Sequence, residues 1–284
     1  ANDVQMQIFS DVEPDPSTNT IYKGAAAMRS FEPDAIVAIG GGSVMDAAKG
    51  MWLFYDSEEA DFFGAKQKFL DIRKRTYKFP KLNKTKLICI PTTSGTGSEV
   101  TPFAVITDSE THIKYPLADY ALTPDVAIVD SQFVESVPPR VVAHTGLDAL
   151  CHATESYVST MASNYTKGLS LQAIKLVFDN LKASYDGDIT ATGNMHDAST
   201  MAGMAFANAL LGINHSLAHK LGGAFNLPHG LMIAITMPHV IRYNATTPTK
   251  RALWAKYSYF RADEDYAEIA RYIGLKGNTT AELV

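Results

Sequence analysis

Residues 38–49 read AIGGGSVMDAAK: the end of an apolar run, three consecutive glycines and the start of a helical pattern. Glycine lets the backbone approach a phosphate closely, and the free N–H groups of a first helical turn bind anions. The stretch predicts a strand, a tight loop and a helix, with a phosphate at the loop as one interpretation. Ser43 and Asp46 also fit a capping box, in which their side chains only complete the helix end. The motif is neither GxGxxG nor a Walker loop, so both interpretations stay open.

A second polar loop follows another apolar run. Residues 91–99 read PTTSGTGSE and come directly after LICI at 87–90. Ligands of open α/β sheets bind at the carboxyl ends of strands, where loops diverge. Two such loops favour a dinucleotide over a single phosphate. Lys114 either offers a cation to that ligand or is an ordinary surface lysine.

Short apolar runs alternate with helical patterns in the first half of the chain. This alternation predicts a mostly parallel sheet with helices on both sides. The runs are rich in β-branched residues and bounded by Gly, Pro, Thr or Asp, as in strands buried on both faces. Strands are predicted at 35–39, 87–90, 103–106 and 126–129, and helices at 43–55 and 60–78.

The second half has helical periodicity throughout. Adjacent prolines at 138 and 139 end one element and begin another, so we place a domain boundary there. The predicted fold class is α/β plus all-α, with an α/β domain at 1–138 and a helical domain at 139–284. Helices are predicted at 142–159, 164–182, 196–211, 216–224 and 266–273.

Composition excludes several partners. A net charge of −5 and a pI near 5.9 argue against nucleic acid and anionic membranes. Residues 198–241 carry one charge, Lys220, but their asparagines, histidines, glycines and prolines suit buried helices better than membrane spans. Two cysteines make no disulfide framework, and the N-terminus has no signal-peptide pattern, which predicts a cytoplasmic protein.

One candidate metal-binding segment is GLDALCHATE at 146–155. Asp148 and His152 are four residues apart on a predicted helix, so they share a face within reach of one ion. His144 and Glu155 extend that stripe by one turn each way. The alternative is a simple pair between an acid and a histidine.

The segment HSLAHKLGGAFNLPH at 215–229 supplies three more imidazoles. On one continuous helix His215 and His229 would be about 21 Å apart, too far to share an ion. The glycines at 222–223 and Pro228 provide a break that lets the chain fold back. One carboxylate and up to three imidazoles suit Fe(II) or Zn(II) rather than Mg²⁺ or Ca²⁺. The other histidines, His112, His196 and His239, stand alone and are predicted to be exposed or to cap helices.

Four motifs together resemble the iron-containing (group III) alcohol dehydrogenases: GGGSVMDAAK, PTTSGTGSEVTPFAVITD, GLDALCHATE and HSLAHKLGGAFNLPHG. The stretch KYPLADYALTPDVAIVD looks like the alcohol dehydrogenase half of bifunctional aldehyde–alcohol dehydrogenases. The resemblance implies a Rossmann-like dinucleotide-binding domain, a helical domain and a metal in the cleft. It also implies that the chain lacks the family's first βαβ segment and ends before the helical domain is complete.

Residue roles follow from the same resemblance. The implied metal ligands are Asp148, His152, His215 and His229, and the implied catalytic residue beside nicotinamide and substrate is His219. The implied cofactor-binding residues are Gly41, Gly42, Ser43, Asp46, Thr92, Thr93, Ser98 and Lys114. Val44 departs from the family, which often has proline there.

The activity implied is reversible reduction of an acetaldehyde-like substrate to an ethanol-like primary alcohol with NADH. The implied cofactors are NAD(H) and Fe(II), with Zn(II) as the alternative. Homo-oligomers, fusion to an aldehyde dehydrogenase domain and filaments are implied as well. Two other functions stay open: a metal- and NAD-dependent lyase or synthase on a dehydroquinate synthase-like scaffold, and a metallohydrolase.

Overall fold

The computed structural model describes residues 4–68, 77–225, 227–247 and 259–284. The chain forms two compact units. Unit 1 comprises Ala1–Thr92 and Ser98–Ile128, and unit 2 comprises Thr93–Gly97 and Val129–Val284. The boundary proposed at residue 138 falls within unit 2, where Pro138 is the N-cap of a helix.

Unit 1 mixes helices and strands. Its helices are α1 (Thr18–Phe31), α2 (Gly42–Asp56) and α3 (Phe62–Lys68), and its strands are β1 (Ala35–Gly40), β2 (Lys86–Pro91), β3 (Phe103–Thr107), β4 (Lys114–Ala118) and β5 (Val126–Ala127). A helix was predicted at 60–78. Its described residues are helical only in α3, and residues 69–76 of this range are not described. Helix α1 and strand β4 lie outside every predicted element.

The parallel sheet of unit 1 has the order β1-β2-β5. Its register places Gly40 opposite Pro91, so the glycine loop and the hydroxyl loop leave the same edge of the sheet. Strand β3 was predicted to join this sheet but pairs antiparallel with β4 instead. The connection between those strands is too short for the crossover that a parallel pair requires.

One face of β1 is open to water. Ile36 and Ala38 are buried, whereas Val37 and Ile39 are each 53% exposed. The prediction that this strand is buried on both faces was therefore wrong. The alternation is that of a strand packed on one side only.

Helix α2 runs through the core of unit 1 and contains a fully buried charge. The Lys49 ammonium donates to Ser98 O at 2.7 Å, to Ser98 Oγ at 2.9 Å, and to the carbonyls of Thr101 and Phe103 at 2.8 Å each. Asp46, one turn earlier, accepts from Ser98 Oγ at 2.9 Å and from Val105 N–H at 3.0 Å. Together these bonds tie the segment after β2 to the middle of α2.

Unit 2 is helical in its described parts, as predicted for the second half. Its helices are α4 (Pro139–Val158), α5 (Asn164–Tyr185), α6 (Ile189–Ala209), α7 (Ile213–Phe225), α8 (His229–Ala245), α9 (Ala262–Tyr272) and α10 (Thr280–Leu283). Buried alanines on α4 and α6, such as Ala153 and Ala202, belong to one core cluster with Ile174 of α5. Helix α8 was not predicted, because Pro238 lies inside it and proline usually ends a helix.

The nearly uncharged segment 198–241 forms parts of α6, α7 and α8. Within the described ranges, no helix has the length and apolar character needed to cross a membrane.

Candidate metal centre

Helix α4 presents the first two predicted metal ligands on one face. Asp148 Oδ1 lies 3.8 Å from His152 Nε2, and both side chains are only 7% exposed. The spacing of four residues therefore brings the two groups together, as the sequence predicts.

A chain reversal between α7 and α8 brings two further imidazoles to Asp148. Helix α7 ends at Phe225, Pro228 is the N-cap of α8, and Leu227 N–H donates to Gly222 O at 3.1 Å across the turn. His215 Nε2 and His229 Nε2 each lie 3.4 Å from Asp148 Oδ1. The chain breaks at Pro228, as predicted, and this reversal makes the convergence possible, whereas Gly222 and Gly223 lie within α7 and do not interrupt it.

The donor set fits a divalent transition metal. Asp148, His215 and His229 offer donor atoms that all lie within 4.8 Å of one another. Asp148 Oδ1 and His215 Nε2 are buried and have no hydrogen-bond partner among the described residues. Buried polar atoms without partners are costly, and a carboxylate with imidazole nitrogens is a typical set for iron or zinc. A metal ion at this point would satisfy both atoms.

Contacts behind the imidazoles hold their rings in place. His152 Nδ1 lies 3.2 Å from Gly95 O, and its ring stacks on those of Phe206 and His215 at centroid distances of 4.4 and 4.5 Å. His215 Nδ1 lies 2.6 Å from Glu155 Oε2. Because each Nδ1 is used in this way, each Nε2 is directed towards Asp148.

Charges at the centre are set by burial and by close partners. Burial alone would raise the pKa of Asp148, but the close imidazoles of His152, His229 and His215 hold that pKa well below its usual range. Burial lowers the pKa of His152 to about 4, despite the opposing effect of Asp148. An ionised carboxylate beside a neutral imidazole is the protonation state that metal binding requires.

His219 lies beside His229, at the edge of this cluster. Its side chain is exposed on α7, and its ring centroid lies 4.8 Å from that of His229. The sequence spacing of His215 and His219 resembles a pair of ligands, yet only His215 is directed towards Asp148.

The glycine loop of unit 1 leaves a helix end without a side-chain cap. Helix α2 begins at Gly42, and its N-cap Gly41 forms no side-chain hydrogen bond. The capping-box interpretation of Ser43 and Asp46 was therefore wrong. Thr92 N–H donates to Gly40 O at 2.9 Å, which joins the two predicted cofactor loops at one edge of the sheet.

Asp15 links two of the predicted cofactor-binding residues. Its carboxylate lies 2.7 Å from Lys114 Nζ, and its N–H donates to Ser43 Oγ at 3.2 Å. Asp15 has a positive φ of 57°, which aspartate tolerates better than most residues. Nothing in the sequence pattern singles it out, because these contacts join segments far apart in the chain.

Two other predicted cofactor residues are committed to packing inside unit 1. Asp46 and Ser98 are bonded to each other and to the Lys49 region, and Ser98 is 4% exposed. Any role of these two residues in cofactor binding would therefore be indirect, through the shape of the loop that follows β2. A third predicted cofactor-binding residue, Thr93, lies in unit 2, in the same short segment as Gly95.

The prediction for the isolated histidines was wrong at one position. His196 is 1% exposed, and its Nδ1 lies 3.0 Å from Ser94 Oγ, so it is a core residue of unit 2. His112 and His239 are exposed, as predicted.

Gly230 offers a test of how closely α4 and α8 must pack. A Cβ at this position would lie 2.2 Å from His144 O, so Gly230→Ala must push the two backbones apart. His229, the adjacent residue, would then move away from Asp148. We expect metal affinity to fall about 10-fold or more and the protein to lose about 1–3 kcal/mol of stability. Titration with Zn(II) and urea unfolding measure the two effects.

Gly223→Ala is the matched control. Gly223 also lies in a helix of unit 2, but a Cβ there would meet nothing within 4 Å. Equal metal affinities for the two variants would contradict the proposed requirement for close packing.

Comparison with known proteins identifies the family. The family "Iron-containing alcohol dehydrogenase" matches residues 1–131, and "Fe-containing alcohol dehydrogenase family, C-terminal" matches residues 142–284. The chain belongs to the iron-containing alcohol dehydrogenase family. The resemblance of the four motifs is thereby confirmed.

Relatives in this family are similar across almost the whole chain. Aldehyde-alcohol dehydrogenase 2 of Entamoeba histolytica is 62% identical over 99% of this chain, which spans 32% of that relative. NADPH-dependent butanol dehydrogenase of Clostridium saccharobutylicum is 50% identical over 99% of this chain and 67% of its own length. The chain thus spans about a third of the aldehyde-alcohol dehydrogenases that it matches.

A solved structure supports the fold class. The iron-containing alcohol dehydrogenase of Thermococcus thioreducens superposes with a TM-score of 0.84 at 37% identity, over 96% of this chain and 67% of that one. The predicted combination of a Rossmann-like α/β part and a helical part is confirmed.

Proposed function

We propose that this chain is the alcohol dehydrogenase portion of an enzyme that interconverts a short-chain aldehyde and a primary alcohol with NADH. The observation that carries the proposal is the convergence of three imidazole Nε2 atoms on Asp148 Oδ1. The proposed metal ligands are Asp148 and these three histidines. Aldehyde and alcohol appear in the names of the relatives quoted above, which is why this substrate class is preferred.

The bound groups supply the central chemistry. A divalent metal, Fe(II) in this proposal, would polarise the carbonyl oxygen, and reduced nicotinamide would supply the hydride. The chain's own residues position these groups. The uncapped start of α2 at Gly41 and Gly42 would hold a phosphate with backbone N–H groups, with Ser43 and Thr92 beside it.

His219 would handle the proton. Imidazole exchanges protons near neutral pH, and an exposed ring nitrogen can pass a proton to water. The side chain is exposed and lies next to His229 rather than among the ligands. We therefore assign to His219 the donation of a proton, directly or through water, to the former carbonyl oxygen, which thereby becomes the alcohol hydroxyl.

The two other functions are less well supported. A metallohydrolase needs a free general base, and the nearby Glu155 is bonded through both carboxylate oxygens, to Asn214 N–H and to His215. A lyase acting on phosphorylated or acidic sugars would need several cations near the ligands, and segment 198–241 has only Lys220. A cytoplasmic location, homo-oligomers and filaments stay predictions.

The primary test is metal content together with cofactor use. Protein purified without oxygen should contain about one equivalent of iron or zinc and should oxidise NADH when acetaldehyde is added. NADPH is the matched cofactor control, since one relative is named for it. Protein that binds neither metal ion after reconstitution would contradict the proposal.

His219→Ala tests the proton role. We expect the variant to keep its metal and to lose about 10²-fold or more in kcat, because general acid–base groups contribute that much. His239→Ala removes an exposed histidine on α8 and should leave kcat unchanged. Loss of metal from the His219→Ala protein would show that this residue is a ligand instead.

A further inference from the structure

Glu155 is a buried carboxylate one turn after His152 on α4, and both of its oxygens are bonded. Oε1 accepts the N–H of Asn214 at 2.7 Å, and Oε2 lies 2.6 Å from His215 Nδ1. The residue is only 4% exposed. Its two bonds therefore connect α4 to the first turn of α7.

The location of the carboxylate suits a helix start. Helix α7 begins at Ile213, so the N–H of Asn214 is one of the first-turn groups that lack a partner within the helix. A negative charge at this end interacts favourably with the helix dipole. The chain approaches the carboxylate so closely that a Cβ on Gly212 would lie 2.7 Å from Glu155 Oε1.

The bond to His215 decides which imidazole nitrogen faces the ligand cluster. A carboxylate can only accept, so Nδ1 must carry the proton in this bond. In the neutral ring Nε2 then presents a lone pair, and it lies 3.4 Å from Asp148 Oδ1. A proton on Nε2 would block ligation at that nitrogen.

We propose that Glu155 is a positioning residue that fixes the tautomer of His215 and anchors the start of α7, so that His215 Nε2 can bind the metal. The inference rests on the metal site of the proposed function and adds a residue to which that function assigns no role. Such carboxylate–histidine pairs orient the ligand ring and raise its basicity.

A second metal site is the competing interpretation of the same residues. Cys151, Glu155 and His215 also place donor atoms within 4.8 Å of one another. However, Cys151 Sγ accepts from Asn214 Nδ2 at 3.0 Å, and both oxygens of Glu155 receive N–H groups. These donors are already used in hydrogen bonds, which favours a supporting network over a second ion.

Two substitutions distinguish an effect of Glu155 on the His215 tautomer from a general structural contribution of Glu155. In Glu155→Gln the new amide can still accept from Asn214 N–H, but its NH₂ group then faces His215 Nδ1 and favours the wrong tautomer. In Glu155→Ala the pocket is emptied, and Nδ1 can donate to water while Nε2 stays free to ligate. We expect Zn(II) affinity to fall about 10- to 100-fold in the Gln variant and less in the Ala variant.

Stability should follow the opposite order. Without metal, the Ala variant should unfold at a lower urea concentration than the Gln variant, because it loses both bonds and leaves a cavity. If Glu155 had only a structural role, the less stable variant would also bind zinc more weakly. An Ala variant that binds zinc as weakly as the Gln variant, or more weakly, therefore overturns the proposal. Zinc affinity of the Gln variant within threefold of the unsubstituted protein overturns it as well.

Asp265→Asn is the matched control for destabilisation. Asp265 is another buried carboxylate of unit 2, bonded to Lys167 Nζ at 2.6 Å and Arg261 Nη2 at 2.7 Å. Its loss should lower stability and leave zinc affinity unchanged. An affinity loss equal to that of Glu155→Gln would attribute the effect to destabilisation and overturn the proposal.

Long-range ¹H–¹⁵N spectra of the unsubstituted, zinc-loaded protein test the tautomer without any variant. We expect His215 to carry its proton on Nδ1, and a proton on Nε2 would overturn the proposal. More than one bound zinc ion, with Cys151 as a ligand, would establish the competing interpretation. If the unsubstituted protein binds no metal at all, the proposed function fails too. If the unsubstituted protein binds zinc and the Glu155 variants bind it equally well, only this inference fails.

Discussion

Asp148→Asn is expected to empty the metal site and to lower kcat by at least about 10³-fold. Oδ1 of this residue is the atom on which three imidazole nitrogens converge, at 3.4 to 3.8 Å. The amide keeps the shape of the side chain but removes the anionic ligand, while His152 and His215 remain buried. Electrostatic stabilisation of a developing negative charge is commonly the largest catalytic contribution, so loss of the metal should remove most turnover.

Metal analysis after dialysis and an NADH-oxidation assay measure the two effects on the Asp148 variant. Asp179→Asn is the matched control, since Asp179 is an exposed acid on α5 that pairs with Lys175 one turn away. It should retain full metal content and activity. An Asp148→Asn protein that keeps a full equivalent of metal would show that the histidines alone hold the ion.

Lys49→Met is expected to cost about 3–5 kcal/mol of stability, although it lies outside the metal centre. The substitution keeps an unbranched apolar side chain but withdraws hydrogen bonds from three carbonyls and Ser98 Oγ. Burial raises the pKa of Asp46 and lowers that of Lys49, and the charge of each residue opposes the shift of the other. Ser98 Oγ bridges the two groups, and removing Lys49 leaves the buried Asp46 without its compensating charge, which explains the large effect.

Urea unfolding measures the stability of the Lys49 variant and of a matched variant at a surface lysine. Lys86 pairs with Asp125 at 2.7 Å, but its side chain is 65% exposed, so Lys86→Met should cost less than about 1 kcal/mol. In the double variant Lys49→Met/Asp46→Asn, part of the loss should be recovered, because neither charge is then left alone. Equal costs for the two single lysine variants would contradict this account.

Local periodicity was sufficient to predict the framework of the metal centre. Two residues four apart on a helix share a face in any protein, so Asp148 and His152 could be paired from sequence. Glycines in the last turn of α7 and Pro228 at the start of α8 indicated where the chain must turn, and this placed His229 near His215. These features depend only on neighbouring residues, and such features can be predicted without a structure.

Features that depend on distant segments were not predicted. Glu155 contacts His215 across 60 positions, and the pattern of α4 indicates only that it lies on the helix stripe. Asp15 joins Ser43 and Lys114 through a turn that has no recognisable motif. Strand β4 departs from the β-branched pattern of the other strands, with Lys114, Tyr115 and Pro116 in its sequence, and so its pairing with β3 was missed.

Because His215 and His219 lie one turn apart on α7, we expect events at the two side chains to be thermodynamically linked. A helix moves as a rigid body, so a change in the position of His215 also displaces the exposed ring of His219. A small molecule that contacts His219 and favours the present position of α7 should strengthen metal binding. By reciprocity, the metal should strengthen binding of that molecule by the same factor. If the substrate contacts His219 as proposed, substrate affinity and metal retention are two measurements of one helix position.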